Sequence, residues 1–170
     1  ILFSFKNGWH FIRDVRENRQ YPPKPYHHIP GGYGTTVGLI SLSTIGRMVN
    51  DLLQPFDVNV IAYDPFVTEE EAQAKKVTLC SLDEIFSEAD IVSLHTPLLP
   101  ETTGMITGEH FEQMKPYATF INTARGAIIK EDELIDVLRK RPDLTAVLDV
   151  THPEPPALNS PLYELPNVIL

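Results

Sequence analysis

From Thr36 onward the chain alternates short apolar runs with amphipathic stretches of helical period, a pattern that admits little besides repeated β-α-β units around a parallel sheet. Val37-Gly38-Leu39-Ile40 opens the series. Ile45, Met48, Val49, Leu52 and Leu53 then recur at helical spacing up to Pro55 and predict an amphipathic helix. Residues 58–64 read as the second strand, where Val60, Ile61 and Ala62 suit a sheet covered on both faces. Thr68 with Glu71, and Ser81 with Glu84, have capping-box spacing and start two helices separated by the short strand Val77-Thr78-Leu79. Strands follow at Ile91-Val92-Ser93-Leu94, at Ala118-Thr119-Phe120-Ile121-Asn122, and over residues 144–150 and 167–170. Helices are expected around residues 110–114 and over 131–140. The latter carries acids in its first turn and Arg139, Lys140 and Arg141 at its end, matching the helix dipole before Pro142 breaks it. The fold class is α/β with a doubly wound parallel sheet.

Residues 1–34 lack this alternation. Ile1, Phe5, Ile12 and Val15 lie roughly on one helical face, and Tyr21-Pro22-Pro23-Lys24-Pro25 reads as a stiff linker. The expected organisation is an N-terminal helix and linker over residues 1–34, then one sheet domain over 35–170. With no initiator Met and an opening on Ile1-Leu2-Phe3, both termini read as cuts. The 14 basic and 23 acidic residues give a formal charge of −9, which argues against nucleic acid or an anionic membrane as a partner. Cys80 is the single cysteine, so neither an internal disulfide nor a four-cysteine zinc site is available, in keeping with a reducing cytoplasm. No run of about 18 apolar residues is present to span a membrane.

Between the first strand and first helix a dinucleotide site wants G-x-G-x-x-G, for a tight turn, close approach of the pyrophosphate and helix packing. Here the segment is Ser41-Leu42-Ser43-Thr44-Ile45-Gly46, which keeps only the third glycine. A side chain at either serine narrows the space at the pyrophosphate, and a positive φ is costly outside glycine, although a hydroxyl can donate to phosphate. By itself the segment is equally an ordinary strand-to-helix turn. Asp64 closes the second strand about 20 residues after Gly46, where a carboxylate would accept both hydroxyls of a ribose and repel a 2′-phosphate, favouring NAD over NADP. Asp64-Pro65 can also be read as a plain turn.

Two strands end in chemistry. The run 118–122 leads into Thr123-Ala124-Arg125-Gly126, and Ala146-Val147-Leu148-Asp149-Val150 leads into Thr151-His152-Pro153-Glu154-Pro155. Ligands sit outside the carboxyl ends of parallel strands, so a cation and two carboxylates delivered there suggest an active site. Taken alone, Arg125 could be a surface salt-bridge residue and Glu154 a solvated loop acid.

These motifs, taken in order with Ile61-Ala62-Tyr63-Asp64-Pro65, Leu94-His95-Thr96-Pro97 and Pro100-Glu101-Thr102, resemble the Rossmann-like NAD-binding domain of the D-isomer-specific 2-hydroxyacid dehydrogenases over about residues 35–170. The resemblance implies an NAD cofactor and hydride transfer between it and a D-2-hydroxy acid/2-oxo acid pair. It implies that Arg125 grips the substrate carboxylate, and that Glu154 pairs with a histidine and raises its pKa. It places Asp149 at the nicotinamide carboxamide and Thr96, Pro97 and Thr102 along the nicotinamide ribose and phosphate. Ser43, Thr44, Ile45, Gly46, Asp64, His95, Thr123 and Ala124 complete the implied cofactor contacts. The family histidine would fall in a Pro-His step a few residues beyond Leu170, outside this chain; none of the six histidines present replaces it, so these 170 residues alone are expected to be inactive. The adjacent His27 and His28 lack further ligands at metal spacing, and no metal site is expected. A separate substrate domain and a homodimer are implied as well.

Two other readings of the same sheet stay open. One is a binding module that uses NAD as a conformational ligand, as related corepressors do; the degenerate Ser41 and Ser43 turn leaves room for it. The other is an S-adenosylmethionine-dependent methyltransferase, against which Arg125 and the 149–154 stretch argue, since methyl transfer has no need of them. The identity of the 2-hydroxy acid is out of reach of the sequence.

Overall fold

The computed structural model describes residues 1–21 and 29–170; all of the linker expected at residues 21–25 except Tyr21, together with His27 and His28, lies outside the described residues. A seven-stranded sheet runs through the molecule: β1 (Tyr33–Ile40), β2 (Asp57–Tyr63), β3 (Thr78–Leu79), β4 (Ile91–Leu94), β5 (Thr119–Asn122), β6 (Thr145–Leu148) and β7 (Val168–Ile169). All its pairings are parallel, in the order β3-β2-β1-β4-β5-β6-β7. The chain thus builds outward in one direction from β1 and then returns to build outward in the other from β4. This reversal opens a crevice between the carboxyl ends of β1 and β4, the place where a doubly wound sheet receives a ligand.

The strands are apolar on both faces because both faces are covered. Successive β1 residues alternate between two cores: Val37 and Leu39 join Phe5, Leu53, Val60 and Ala62 on one side. Ile40 joins Ile85, Phe86, Phe120 and Leu148 on the other. Gly38 faces the second core, where a Cβ would lie 2.9 Å from Ile85 Cγ2, so the missing side chain lets a helix press against the sheet. That helix is α4 (Leu82–Glu88), and with α5 (Gly108–Glu112) and α6 (Glu131–Lys140) it encloses a ring cluster of Phe86, Phe111 and Phe120, with Phe111 and Phe120 edge to face at 4.9 Å.

Helix starts follow local chemistry. Thr68 caps α3 (Glu69–Ala74) and Ser81 caps α4, and each makes both bonds of the expected capping box with Glu71 and Glu84. The predicted strand and helix positions agree with the structure to within a few residues; β1 is the exception, beginning four residues earlier than Val37.

One amphipathic expectation needs correction, and a second holds as a helix whose direction the sequence left open. The N-terminal stretch is broken in two: a 3-10 turn at Ser4–Lys6 and α1 (Gly8–Asn18) meet at Asn7, whose φ of 48° is left-handed. Phe5 is consequently buried in the sheet's core while Ile12 is exposed. In α2 (Thr44–Leu53) the apolar positions split: Leu53 and Val49 pack on the sheet's core beside Gly46 and Asn50, with Asn50 Nδ2 donating to the Lys75 carbonyl at 3.0 Å, whereas Ile45, Met48 and Leu52 are 55%, 56% and 72% exposed. Periodicity located the apolar face but not its direction.

Candidate functional site

The site is built from five strand ends, those of β1, β2, β4, β5 and β6. At the end of β1, Ser41 turns the chain with φ +77°, the left-handed conformation a glycine would adopt without strain. Its N–H donates to the Tyr63 carbonyl at 2.8 Å, and its hydroxyl donates to Asp64 Oδ2 at 3.1 Å while accepting from the Ser43 N–H at 3.2 Å. Asp64, just past β2, also accepts from the Leu42 N–H at 2.8 Å and, on Oδ1, from the Phe66 N–H at 2.9 Å. Its carboxylate therefore lies beside the turn, at the position expected from the spacing to Gly46.

Ser43 is the N-cap of α2. Its hydroxyl accepts from the Gly46 N–H at 3.4 Å and donates to the His95 carbonyl at 2.8 Å, tying the turn to the end of β4 across the crevice. Gly46 has no space for a side chain, because a Cβ would overlap the Ser41 carbonyl. Among the described residues, the amides of Thr44 and Ile45 donate to no partner, so two N–H donors at the start of a ten-residue helix point outward for an anion.

At the end of β4, the His95 N–H donates to the Ile40 carbonyl at 2.9 Å and the ring is buried, with Nε2 lacking any partner among the described residues. Burial pushes its pKa down to about 4, so the ring is neutral at physiological pH. Thr96 is buried, and its hydroxyl donates to the Ile40 carbonyl at 3.3 Å. The Thr102 hydroxyl accepts from the Leu99 N–H and donates to the Pro97 carbonyl, both at 2.8 Å, so it braces the loop after β4.

At the ends of β5 and β6 stand the two loops carrying the charged residues. Buried Asn122 closes the first of them, Nδ2 donating to the Arg125 carbonyl at 3.1 Å and Oδ1 accepting from the Ala124 N–H at 2.9 Å. The Arg125 guanidinium is exposed and, among the described residues, bonds only the Ala124 carbonyl, at 2.6 Å, leaving most of its donors open. Gly126 lies directly on the backbone of Thr151, where a Cβ would overlap Thr151, so the 123–126 and 149–155 loops are packed together. Glu131 Oε2 accepts from the His152 N–H at 2.9 Å and the Thr151 hydroxyl donates to the Pro153 carbonyl at 2.8 Å, which holds the second loop in place. Asp149 and Glu154 are exposed on it. No described histidine ring bonds Glu154; the His110 ring instead meets Thr107 and Asp83.

Two cavities of about 470 and 450 Å³ flank the crevice. The first is bordered by Ser41, Asp64, Phe66 and Thr102, the second by Thr44, Ile45, His95, Thr123, Ala124 and Arg125; Ser43, Thr96 and Pro97 border both. The described residues therefore offer a carboxylate in one chamber, and an arginine together with two free helix amides in the other. Sequence reasoning gave no role to Asn122, Gly126 or Glu131. Glu131 was legible only as an acid in the first turn of a helix, because its bond to His152 spans 21 residues.

The family model for the D-isomer specific 2-hydroxyacid dehydrogenase, NAD binding domain, matches residues 1–170. The chain belongs to this family.

Among relatives of this NAD-binding domain, the D-3-phosphoglycerate dehydrogenase of Archaeoglobus fulgidus is 37% identical over 136 residues, covering 80% of this chain and 26% of that protein. The D-3-phosphoglycerate dehydrogenase of Synechocystis sp. is 41% identical over 138 residues, covering 81% of this chain and 25% of that protein. Among solved structures, the D-isomer specific 2-hydroxyacid dehydrogenase of Lactobacillus delbrueckii ssp. bulgaricus in its NAD complexed form superposes with a TM-score of 0.82 at 29% identity, over 98% of this chain and 54% of that one. The D-lactate dehydrogenase of Lactobacillus jensenii with NAD+ gives 0.79 at 30% identity, over 98% and 53%. The chain thus spans about a quarter of the length of these curated relatives and about half that of these solved chains.

Proposed function

We propose that this NAD-binding domain serves a dehydrogenase that interconverts a D-2-hydroxy acid and its 2-oxo acid. The observation that carries the reading is the paired chamber at the β1/β4 crevice, with Asp64 on one side and Arg125 with the Thr44 and Ile45 amides on the other. Asp64 suits the adenosine ribose and disfavours a 2′-phosphate. The two amides suit the pyrophosphate, and Asp149, Thr123 and Ala124 suit the nicotinamide end. When bound, NAD supplies the hydride acceptor and NADH the donor. Arg125, with its open donors, holds the substrate carboxylate in a two-pronged grip and draws electron density from the ketone. Glu154 favours the protonated form of a histidine supplied from outside these 170 residues, which carries the proton.

A homodimer in the cytoplasm completes the proposal. The exposed Ile45, Met48 and Leu52 stripe on α2 supports an interface between copies, the lone Cys80 suits a reducing compartment, and no helix among the described residues is long and apolar enough to cross a membrane.

Calorimetric titration tests the cofactor: the chain should bind NAD more tightly than NADP, and no affinity for NAD would sink the reading. Following NADH absorbance with hydroxypyruvate or glyoxylate tests the proton carrier. The 170-residue chain should give no turnover, and turnover would refute the placement of the histidine. The Ser41 and Ser43 hydrogen bonds within the turn favour a second reading, in which NAD acts as a conformational ligand of a binding module. Absence of 2-oxo acid reduction once the family histidine is present would favour that reading.

A further inference from the structure

We propose that Ser41 sets ribose specificity at the cofactor site: its hydroxyl takes, at Asp64, the place of one of the two ribose hydroxyls. The inference rests on the NAD reading above and concerns how this chain holds the adenosine end.

An ionised carboxylate offers about four lone-pair positions. At Asp64 the Leu42 N–H, the Phe66 N–H and the Ser41 hydroxyl fill three of them, at 2.8, 2.9 and 3.1 Å. One position is left, whereas a ribose diol presents two donors. The Ser41 hydroxyl is not free to swing aside, because it is held from the other side by the Ser43 N–H at 3.2 Å and its Cα is fixed in the left-handed turn. One side chain therefore occupies an acceptor and a donor that a glycine would leave open, and it does so on the border of the chamber that Asp64 lines. The adenosine ribose is held through one hydroxyl, and the chain discriminates weakly between ribose and deoxyribose.

The test is calorimetric binding of ADP-ribose and of its 2′-deoxyadenosine analogue to the wild-type chain, Ser41→Gly and Ser41→Ala, with thermal melts confirming that each variant is folded. Ser41→Ala removes only the hydroxyl; Ser41→Gly also relieves the left-handed strain. The wild-type chain should distinguish the two ligands by less than about threefold, and both variants by about tenfold, the worth of one hydrogen bond. Both variants should bind ADP-ribose about tenfold more tightly, and Asp64→Asn should erase that gain. Unchanged or weaker binding by folded variants, or full discrimination by the wild-type chain, overturns the role of Ser41 and leaves the NAD reading standing. Failure of ADP-ribose to bind any of the four proteins overturns both.

Discussion

Gly46 and His95 show how single residues make the crevice. A methyl group on Gly46 would displace the Ser41 carbonyl and with it the turn that carries the free amides. Gly46→Ala should cost about 1–3 kcal/mol of stability by overpacking and abolish measurable NAD binding, as checked by chemical denaturation and calorimetry on the same sample. His95 makes a pH prediction. Its folded pKa of about 4 lies below the ordinary 6.5, so the unfolded chain takes up a proton that the folded one refuses. Its contribution is therefore fully present above pH 6.5 and is lost as pH falls from 6.5 towards 4. Denaturation midpoints at about pH 7 and about pH 5 should differ more for the wild-type chain than for His95→Gln; an equal difference would count against a buried neutral ring. Gly46 was legible from its place three residues after Ser43, but the burial of His95 was not, since a histidine ending a strand reads equally as exposed.

Among the elements, α6 starts without a side-chain cap. Lys130 occupies the N-cap and its side chain bonds no amide of the first turn, while Glu133 reaches away to the Gly108 N–H at 2.7 Å. The helix is carried by its buried face of Leu134, Ile135, Val137 and Leu138 and by the acids of its first turn. Lys130→Asp should add a cap and stabilise the chain by about 1 kcal/mol, read as a rise in the denaturation midpoint; the exposed Lys130–Glu133 ion pair it removes is worth little. The helix itself was legible from its charges and apolar spacing. Its second role was not, because Glu131 secures the 149–155 loop through a bond to a residue on the far side of β6, and local propensity carries no information about such a partner.

For the whole molecule, the direction of α2 decides which apolar surface the proposed dimer has to bury. Replacing Met48 and Leu52 by glutamate should leave the melting temperature of the chain nearly unchanged, because both side chains already face water, and should abolish the proposed dimer in analytical ultracentrifugation. A wild-type chain that sediments as a monomer would remove the dimer from the proposal. The same periodicity that predicts a core-facing stripe predicts an interface equally well, since both bury apolar surface and differ only in what covers it.

Alternation of apolar runs with helical stretches, two capping boxes and the spacing from Gly46 to Asp64 were enough for the sequence alone to determine the parallel sheet, most element positions and the strand ends where chemistry gathers. These are short-range features, written in neighbouring residues as pattern and propensity. Only the tertiary structure decided that Phe5 joins the sheet's core, that Ile45, Met48 and Leu52 of α2 turn outward, and that Gly126 locks the two loops together. It alone also showed that the hydroxyl of Ser41 rests on Asp64, 23 residues away, because packing and hydrogen bonding between distant segments depend on where the whole chain brings them.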